Sequence, residues 1–347
     1  MERTGVSEGD ALVVAEELAR SEFTGLSNGL DPFAAVRGGL FATEEFLRGE
    51  LSDRDPLMEE LGTHLLNGGG KRLRPALALL SGQAVGGRIE DIVPVAAACE
   101  LIHMATLVHD DLVDESVRRR GVPTIHARWG IPVAVLLGDH LFARGFAVLA
   151  RHGNPRIVRM MSEVVSQMCA GEIAELAAQW DTEATEDGYF ERIFAKTGRF
   201  ISECCRMGAA AAGASPATEE ALATYGRGIG VCFQVVDDIL DLTAEETTLG
   251  KPTGSDLRAG VYTLPVLRAL QGRDGTAIRG WLRRKPLDDA ALVAVRELVR
   301  HGDGLPYAGK KAMEMVRQAQ AQLLELPPSR YRESLGHLAE ELVHRLV

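Results

Sequence analysis

The chain predicts an all-α fold. Apolar residues recur at three- and four-residue intervals along most of its length. No alternating apolar–polar stretch lasts long enough for a strand of consequence. Gly, Pro and Asn punctuate the periodic segments at helix-length intervals. With 347 residues, 46% hydrophobic and 25% charged, the chain has an ordinary soluble composition and can bury a large core. No domain-sized linker or low-complexity stretch divides it, so residues 1–347 are expected to form one all-helical domain.

The elements follow in order. Residues 10–21 and 32–50 are amphipathic helix candidates joined by a Gly/Ser/Asn stretch at 25–29. A helix over 55–67 ends at three glycines, 68–70. Pro75 suits the first turn of a helix over 75–84, which Gly86-Gly87 ends. A long helix is expected over 90–117. Its stretch 92–108 is strongly apolar but holds Glu100 and His103 and is short for a membrane span, so it reads as a buried core helix. Helices are expected over 132–151, 155–180, 187–213 and 216–243. A loop rich in Gly and polar residues occupies 250–260, and helices resume over 262–271, 275–284, 287–301, 306–325 and 328–346.

The net charge of −11 argues against nucleic acid as the main partner. The five cysteines are odd in number and form no Cys-x-x-Cys pair, which suits free thiols in a reducing cytosol. No basic stretch followed by an apolar core begins the chain, so no secretory signal is read and a cytoplasmic location is expected.

Two acidic motifs carry the chemistry. Asp110-Asp111-Leu112-Val113-Asp114 and Asp237-Asp238-Ile239-Leu240-Asp241 both read Asp-Asp-x-x-Asp, and both interrupt apolar helical sequence. Helical spacing sets the first and last Asp of each about 40° apart around the axis and one turn apart along it. Three carboxylates on one face repel, and burial raises their pKa. Divalent cations between them resolve the conflict, and all-oxygen ligands together with phosphate suit Mg²⁺.

Cations answer these acids. Lys71, Arg72 and Arg74 follow the glycines, Arg118-Arg119-Arg120 follow the first motif, and Lys196 and Lys251 flank the second. Arg forks bind phosphate oxygens in pairs and Lys supplies a point charge. The glycine stretch is not a P-loop, since Gly-x-x-x-x-Gly-Lys-Ser/Thr is absent. No Ser-His-Asp or Cys-His arrangement suggests a covalent route. The set fits two phosphorylated substrates, one held through metal and one directly.

Five segments, in order, resemble the trans-isoprenyl diphosphate synthases, which join prenyl units head to tail. They are Gly69-Gly70-Lys71-Arg72-Leu73-Arg74-Pro75; His109-Asp110-Asp111-Leu112-Val113-Asp114 leading to Arg119-Arg120-Gly121-Val122-Pro123-Thr124; Lys196-Thr197; Phe233-Gln234-Val235-Val236-Asp237-Asp238-Ile239-Leu240-Asp241; and Gly250-Lys251-Pro252-Thr253-Gly254-Ser255-Asp256-Leu257. The resemblance covers about 66–267; residues 1–50, a variable N-terminal part, and the last 70 match only in helical character. It implies a large orthogonal helical bundle of the isoprenoid synthase type around a central apolar cavity. It further implies that Asp110, Asp111, Asp114, Asp237, Asp238 and Asp241 hold up to three Mg²⁺. Arg119, Lys196, Gln234 and Lys251 would contact the allylic diphosphate. Lys71, Arg72, Arg74, His103 and Arg120 would bind isopentenyl diphosphate, and Thr197 and Gln234 would line the reacting centre. Ionisation would give an allylic cation, attacked by the isopentenyl double bond, with a proton lost. One departure stands out: Glu175 is an acid where many relatives carry Gln.

The resemblance also bears on product length. The positions that form the floor of the chain tunnel in this family are Ala105 and Thr106 here, both small, with Leu101 and Ile102 a turn deeper. A product beyond C15, at C30–C40, is expected, with C20–C25 as the alternative. Residues 102–106 and 138–144 look most similar to bacterial heptaprenyl synthase large subunits. A homodimer is expected, with a heterodimer containing a small non-catalytic subunit as the alternative, and peripheral membrane contact for product release. A class I terpene cyclase and an inactive helical regulatory subunit are the competing readings. The intact second Asp triplet and the Lys71 cluster argue against the first, and the six retained acids against the second.

Overall fold

The computed structural model describes residues 31–243 and 253–344. Lys251 and the helix expected over 10–21 lie outside the described residues. The architecture is helical, and among the described residues the only strands form one two-residue hairpin.

After a 3₁₀ turn at Ala34–Val36 come α1 (Arg37–Leu51), α2 (Pro56–Asn67), α3 (Leu73–Ala84) and α4 (Ile89–Val113). Asp55 caps α2 by accepting from the amides of Leu57 and Met58, with Pro56 in the first position. The hairpin β1 (Arg118–Arg119) and β2 (Val122–Pro123) follows, then α5 (Ile125–Trp129), α6 (Ile131–His152) and α7 (Pro155–Ala177). α8 (Glu186–Ile193) continues through a π-helical segment, Phe194–Gly198, into α9 (Arg199–Ala211). Next come α10 (Pro216–Thr243), α11 (Ser255–Arg258), α12 (Leu264–Gln271), α13 (Gly275–Leu282), α14 (Asp289–Arg300), α15 (Gly304–Gln322) and α16 (Arg330–His344).

α4 forms the centre. It is apolar on nearly every face, so it cannot lie on the surface. By length and composition α4 and α6 could each cross a bilayer. Instead α4 packs against α1, α3, α6 and α9, while α10 packs against α9, α15 and the π segment. Small residues set the spacing. A Cβ on Gly208 would stand 2.1 Å from the Ala78 carbonyl oxygen, so α9 and α3 reach this distance only because position 208 has no side chain.

Two expectations are corrected. The helix expected over 90–117 ends at Val113, because Glu115 adopts a left-handed conformation and Arg118–Pro123 fold into the hairpin. Arg120 and Gly121 both take positive φ at its tip, the geometry of a tight hairpin turn. The helix expected over 187–213 contains the π segment at Lys196-Thr197, an irregularity that often marks functional positions.

Candidate active site

One cavity of about 1100 Å³ gathers most of the motifs. The C-terminal turns of α4 contribute His103, Thr106, Asp110 and Asp111, and Asp114, the residue that caps it, borders the cavity as well. The loop into α3 contributes Lys71 and Arg72, the first turn of α3 Arg74, and the hairpin Arg119 and Arg120. The π segment brings Lys196 and Thr197, and α10 brings Gln234 and Asp237. Asp110 and Asp237, some 127 residues apart in sequence, thus border one space. Phe142, Met168, Phe200 and Phe233 supply apolar wall.

Acids and cations both line this cavity, and burial shifts several of them. Burial, then Glu172, pushes the Asp110 carboxyl up to about 6. Burial also raises Asp111, against the opposing pull of Arg119, whose Nε donates to its Oδ1 at 2.9 Å. Burial alone would lower the Lys196 ammonium, but Glu175 and Glu172 outweigh it and hold it above its ordinary value. Lys196 donates to Glu175 at 2.7 Å and to Glu172 at 3.0 Å.

Arg74 and His103 form a half-buried pair. Arg74 Nη1 lies 3.0 Å from His103 Nε2. Burial and then Arg74 hold the imidazole well below its ordinary pKa, so it is neutral. A guanidinium only donates, so Nε2 accepts and the ring proton sits on Nδ1. That Nδ1 and the Nε of Arg74 have no protein partner.

Several expected residues do other work. Arg72 borders the cavity, but its guanidinium is engaged by Glu44 at 2.5 Å and Glu100 at 2.7 Å, which makes it an anchor between α1 and α4. Asp238 is 2% exposed and does not border the cavity. Its Oδ2 accepts from the Tyr189 hydroxyl at 2.6 Å and its Oδ1 from Gln234 Nε2 at 2.9 Å. Asp241 accepts from Ser255 N and Oγ and from Asp256 N, and so secures the start of α11. Of the second triplet, only Asp237 faces the cavity. The residues expected at the tunnel floor sit in different places. Thr106 borders the cavity, whereas Ala105, Leu101 and Ile102 are fully buried elsewhere. Ile102 points at α6, where a Cβ on Gly145 would meet its Cδ1 at 2.8 Å.

Glu172, Phe142 and Met168 were not foreseen as lining residues. Glu172 carried a signal, an acid in an apolar helix beside Glu175. Tyr189 carried none, since its partner comes from α10.

Among the described residues, no three His, Cys, Asp or Glu side chains form a ready metal cluster. The donor chemistry nonetheless fits a hard divalent cation. Asp110, Asp111, Asp114 and Asp237 offer only oxygen ligands, and the raised Asp110 marks a half-buried charge that a cation would relieve.

The chain resembles known proteins over most of its length. The Polyprenyl synthetase family model matches residues 55–299. A short chain isoprenyl diphosphate synthase from Methanothermobacter thermautotrophicus is 38% identical over 87% of this chain and 95% of its own. Heptaprenyl diphosphate synthase component 2 of Bacillus subtilis is 37% identical over 84% of this chain and 83% of its own. The crystal structure of a Caulobacter crescentus polyprenyl synthase, complexed with calcium and isoprenyl diphosphate, superposes with a TM-score of 0.85 at 30% identity, covering 94% of this chain and 100% of that one. The chain belongs to the polyprenyl synthetase family.

Proposed function

We propose that this chain lengthens an allylic diphosphate by repeated head-to-tail addition of isopentenyl diphosphate, giving a trans-polyprenyl diphosphate of C30–C40. The chain is a prenyltransferase of its family. The observation that carries the reading is the shared cavity: Asp110 and Asp237 face it from two helices, and Lys71, Arg119, Arg120 and Lys196 line it together with apolar Phe142, Met168, Phe200 and Phe233.

Asp110, Asp111, Asp114 and Asp237 would hold Mg²⁺, which would neutralise charge growing on the departing diphosphate. Arg119 and Lys196 bear on that diphosphate, and Lys71, Arg74 and Arg120 receive isopentenyl diphosphate. His103, neutral and half-buried at the cavity wall, holds Arg74 and faces the same substrate. Thr197 and Gln234 border the reacting carbons. Phe142, Phe200 and Phe233 exclude water, which would otherwise trap the allylic cation as an alcohol. The Caulobacter complex supports divalent cation use. The name of the Bacillus relative favours a second arrangement, in which the chain is the catalytic member of a two-component enzyme. A homodimer is the first, supported by exposed Ile131, Val135 and Leu136 along α6. We place the enzyme in the cytoplasm, in keeping with five free thiols.

Incubation of the purified protein with Mg²⁺, labelled isopentenyl diphosphate and a C15 primer tests the reading. Elongated diphosphates are expected on reversed-phase chromatography. Cyclic hydrocarbon from the primer alone would replace it with a cyclase. Asp110→Ala should lower turnover by orders of magnitude with an unchanged circular dichroism spectrum, whereas near-normal turnover would remove the cation assignment.

A further inference from the structure

We infer that Tyr189 is a positioning residue of the reacting centre, acting through Asp238 and Gln234 on Thr197. The inference rests on the reading that Thr197 and Gln234 border the reacting carbons.

Tyr189 belongs to no motif named above. It lies in α8, is 1% exposed, and does not border the cavity. Its hydroxyl donates to Asp238 Oδ2 at 2.6 Å. Asp238 Oδ1 accepts from Gln234 Nε2 at 2.9 Å. Gln234 Oε1 in turn accepts from Thr197 Oγ1 at 3.2 Å. Four side chains thus link the packed interior to the cavity wall, and only the last two reach the cavity.

The direction of this chain follows from its chemistry. A carboxylate only accepts, so Asp238 faces the O–H of Tyr189 and the N–H of Gln234. The Gln234 amide nitrogen is then committed to Asp238 and its oxygen is presented to Thr197. The single hydroxyl proton of Thr197 is engaged as well, so towards a ligand Thr197 can only accept. Two oxygens held in this sense suit an electron-poor carbon.

The need for a tether is local. Thr197 sits in the π-helical segment, where backbone pairing departs from the α pattern. Tyr189, in the helix leading into that segment, is joined to α10 by its bond to Asp238. Asp238 therefore appears in an Asp-Asp-x-x-Asp motif but serves as an internal anchor, with both oxygens occupied.

Tyr189→Phe keeps the ring and removes only the hydroxyl. Turnover is measured with Mg²⁺, a C15 primer and isopentenyl diphosphate for the wild type, Tyr189→Phe, Thr197→Val and the double variant. Calorimetry with Mg²⁺ and inorganic pyrophosphate reports ligand affinity separately. Tyr189→Phe should lower kcat about tenfold, as expected for one lost aligned hydrogen bond. The double variant should be no slower than Thr197→Val to within about twofold, because both changes cut the same chain. Pyrophosphate affinity should stay within about twofold of wild type. Wild-type kcat in Tyr189→Phe, or multiplying effects in the double variant, overturns the inference alone. A parallel fall in pyrophosphate affinity also overturns it, by making Asp238 a cation ligand. Wild-type turnover in Thr197→Val overturns the underlying reading and the inference with it. Asp238→Asn, which turns one of the two donors towards an amide nitrogen, must show the same coupling to Thr197 and keeps the test open if Tyr189→Phe folds poorly.

Discussion

Lys196 donates to Glu175 at 2.7 Å, and the same carboxylate stands 3.4 Å from the Nε of Arg192. An acid at 175 thus neutralises two cations in a largely buried place, one in the π segment and one in α8. A Gln there could accept from Lys196 but would leave Arg192 without a counter-charge. Glu175→Gln should therefore lose about 1–3 kcal/mol of stability, the cost of leaving a buried charge poorly matched. Urea unfolding measures it; an unchanged midpoint would show that the pairing contributes nothing.

Asp110 should impose a pH dependence on the cation-free protein. Its carboxyl is raised from 3.8 to about 6 by burial first and Glu172 second. The folded state then binds more protons than the unfolded one between those values. The group favours folding below its unfolded pKa, and that contribution is lost as pH rises through about 6. Asp110→Asn removes the penalty. In EDTA it should be more stable than wild type at pH 7 by about 2–3 kcal/mol, with the difference closing towards pH 4. Parallel stability curves for the two proteins from pH 4 to 7 would refute this.

Thr106 faces the cavity and Ala105 does not. Thr106→Phe should shorten the product by adding a ring to the cavity wall, which product chromatography reads directly. Ala105→Phe should instead overpack the α4 interior and cost about 1–3 kcal/mol or more. A shortened product from a stable Ala105→Phe protein would place the floor on the other side of α4.

Gly208→Ala should destabilise despite a gain of about 1 kcal/mol in helix propensity. The new Cβ would meet the Ala78 carbonyl oxygen at 2.1 Å, so α9 and α3 must separate. A lowered thermal midpoint is expected, and a raised one would mean that the helices part freely.

The helices were legible because their causes are local. Asp55 and Pro56 announce α2, and the unbroken apolar face of α4 announces a core helix. The hairpin was not legible. Arg118 to Pro123 contains no alternation long enough to read, and its turn needs a left-handed arginine that sequence statistics disfavour. The π segment was hidden for a similar reason, since Phe194 to Gly198 reads as ordinary helix.

By itself the sequence determined the helical class, the two acidic triplets and the cations that answer them. Caps, periodicity and charge are properties of neighbours in the chain. Only the tertiary structure decided how those charges are used. Asp237 faces the cavity while Asp238 meets Tyr189 and Asp241 meets Ser255. Arg72 pairs with Glu44 and Glu100. A carboxylate becomes a cavity wall, an anchor or a cap according to what stands opposite it, and that partner is brought there by an element distant in sequence.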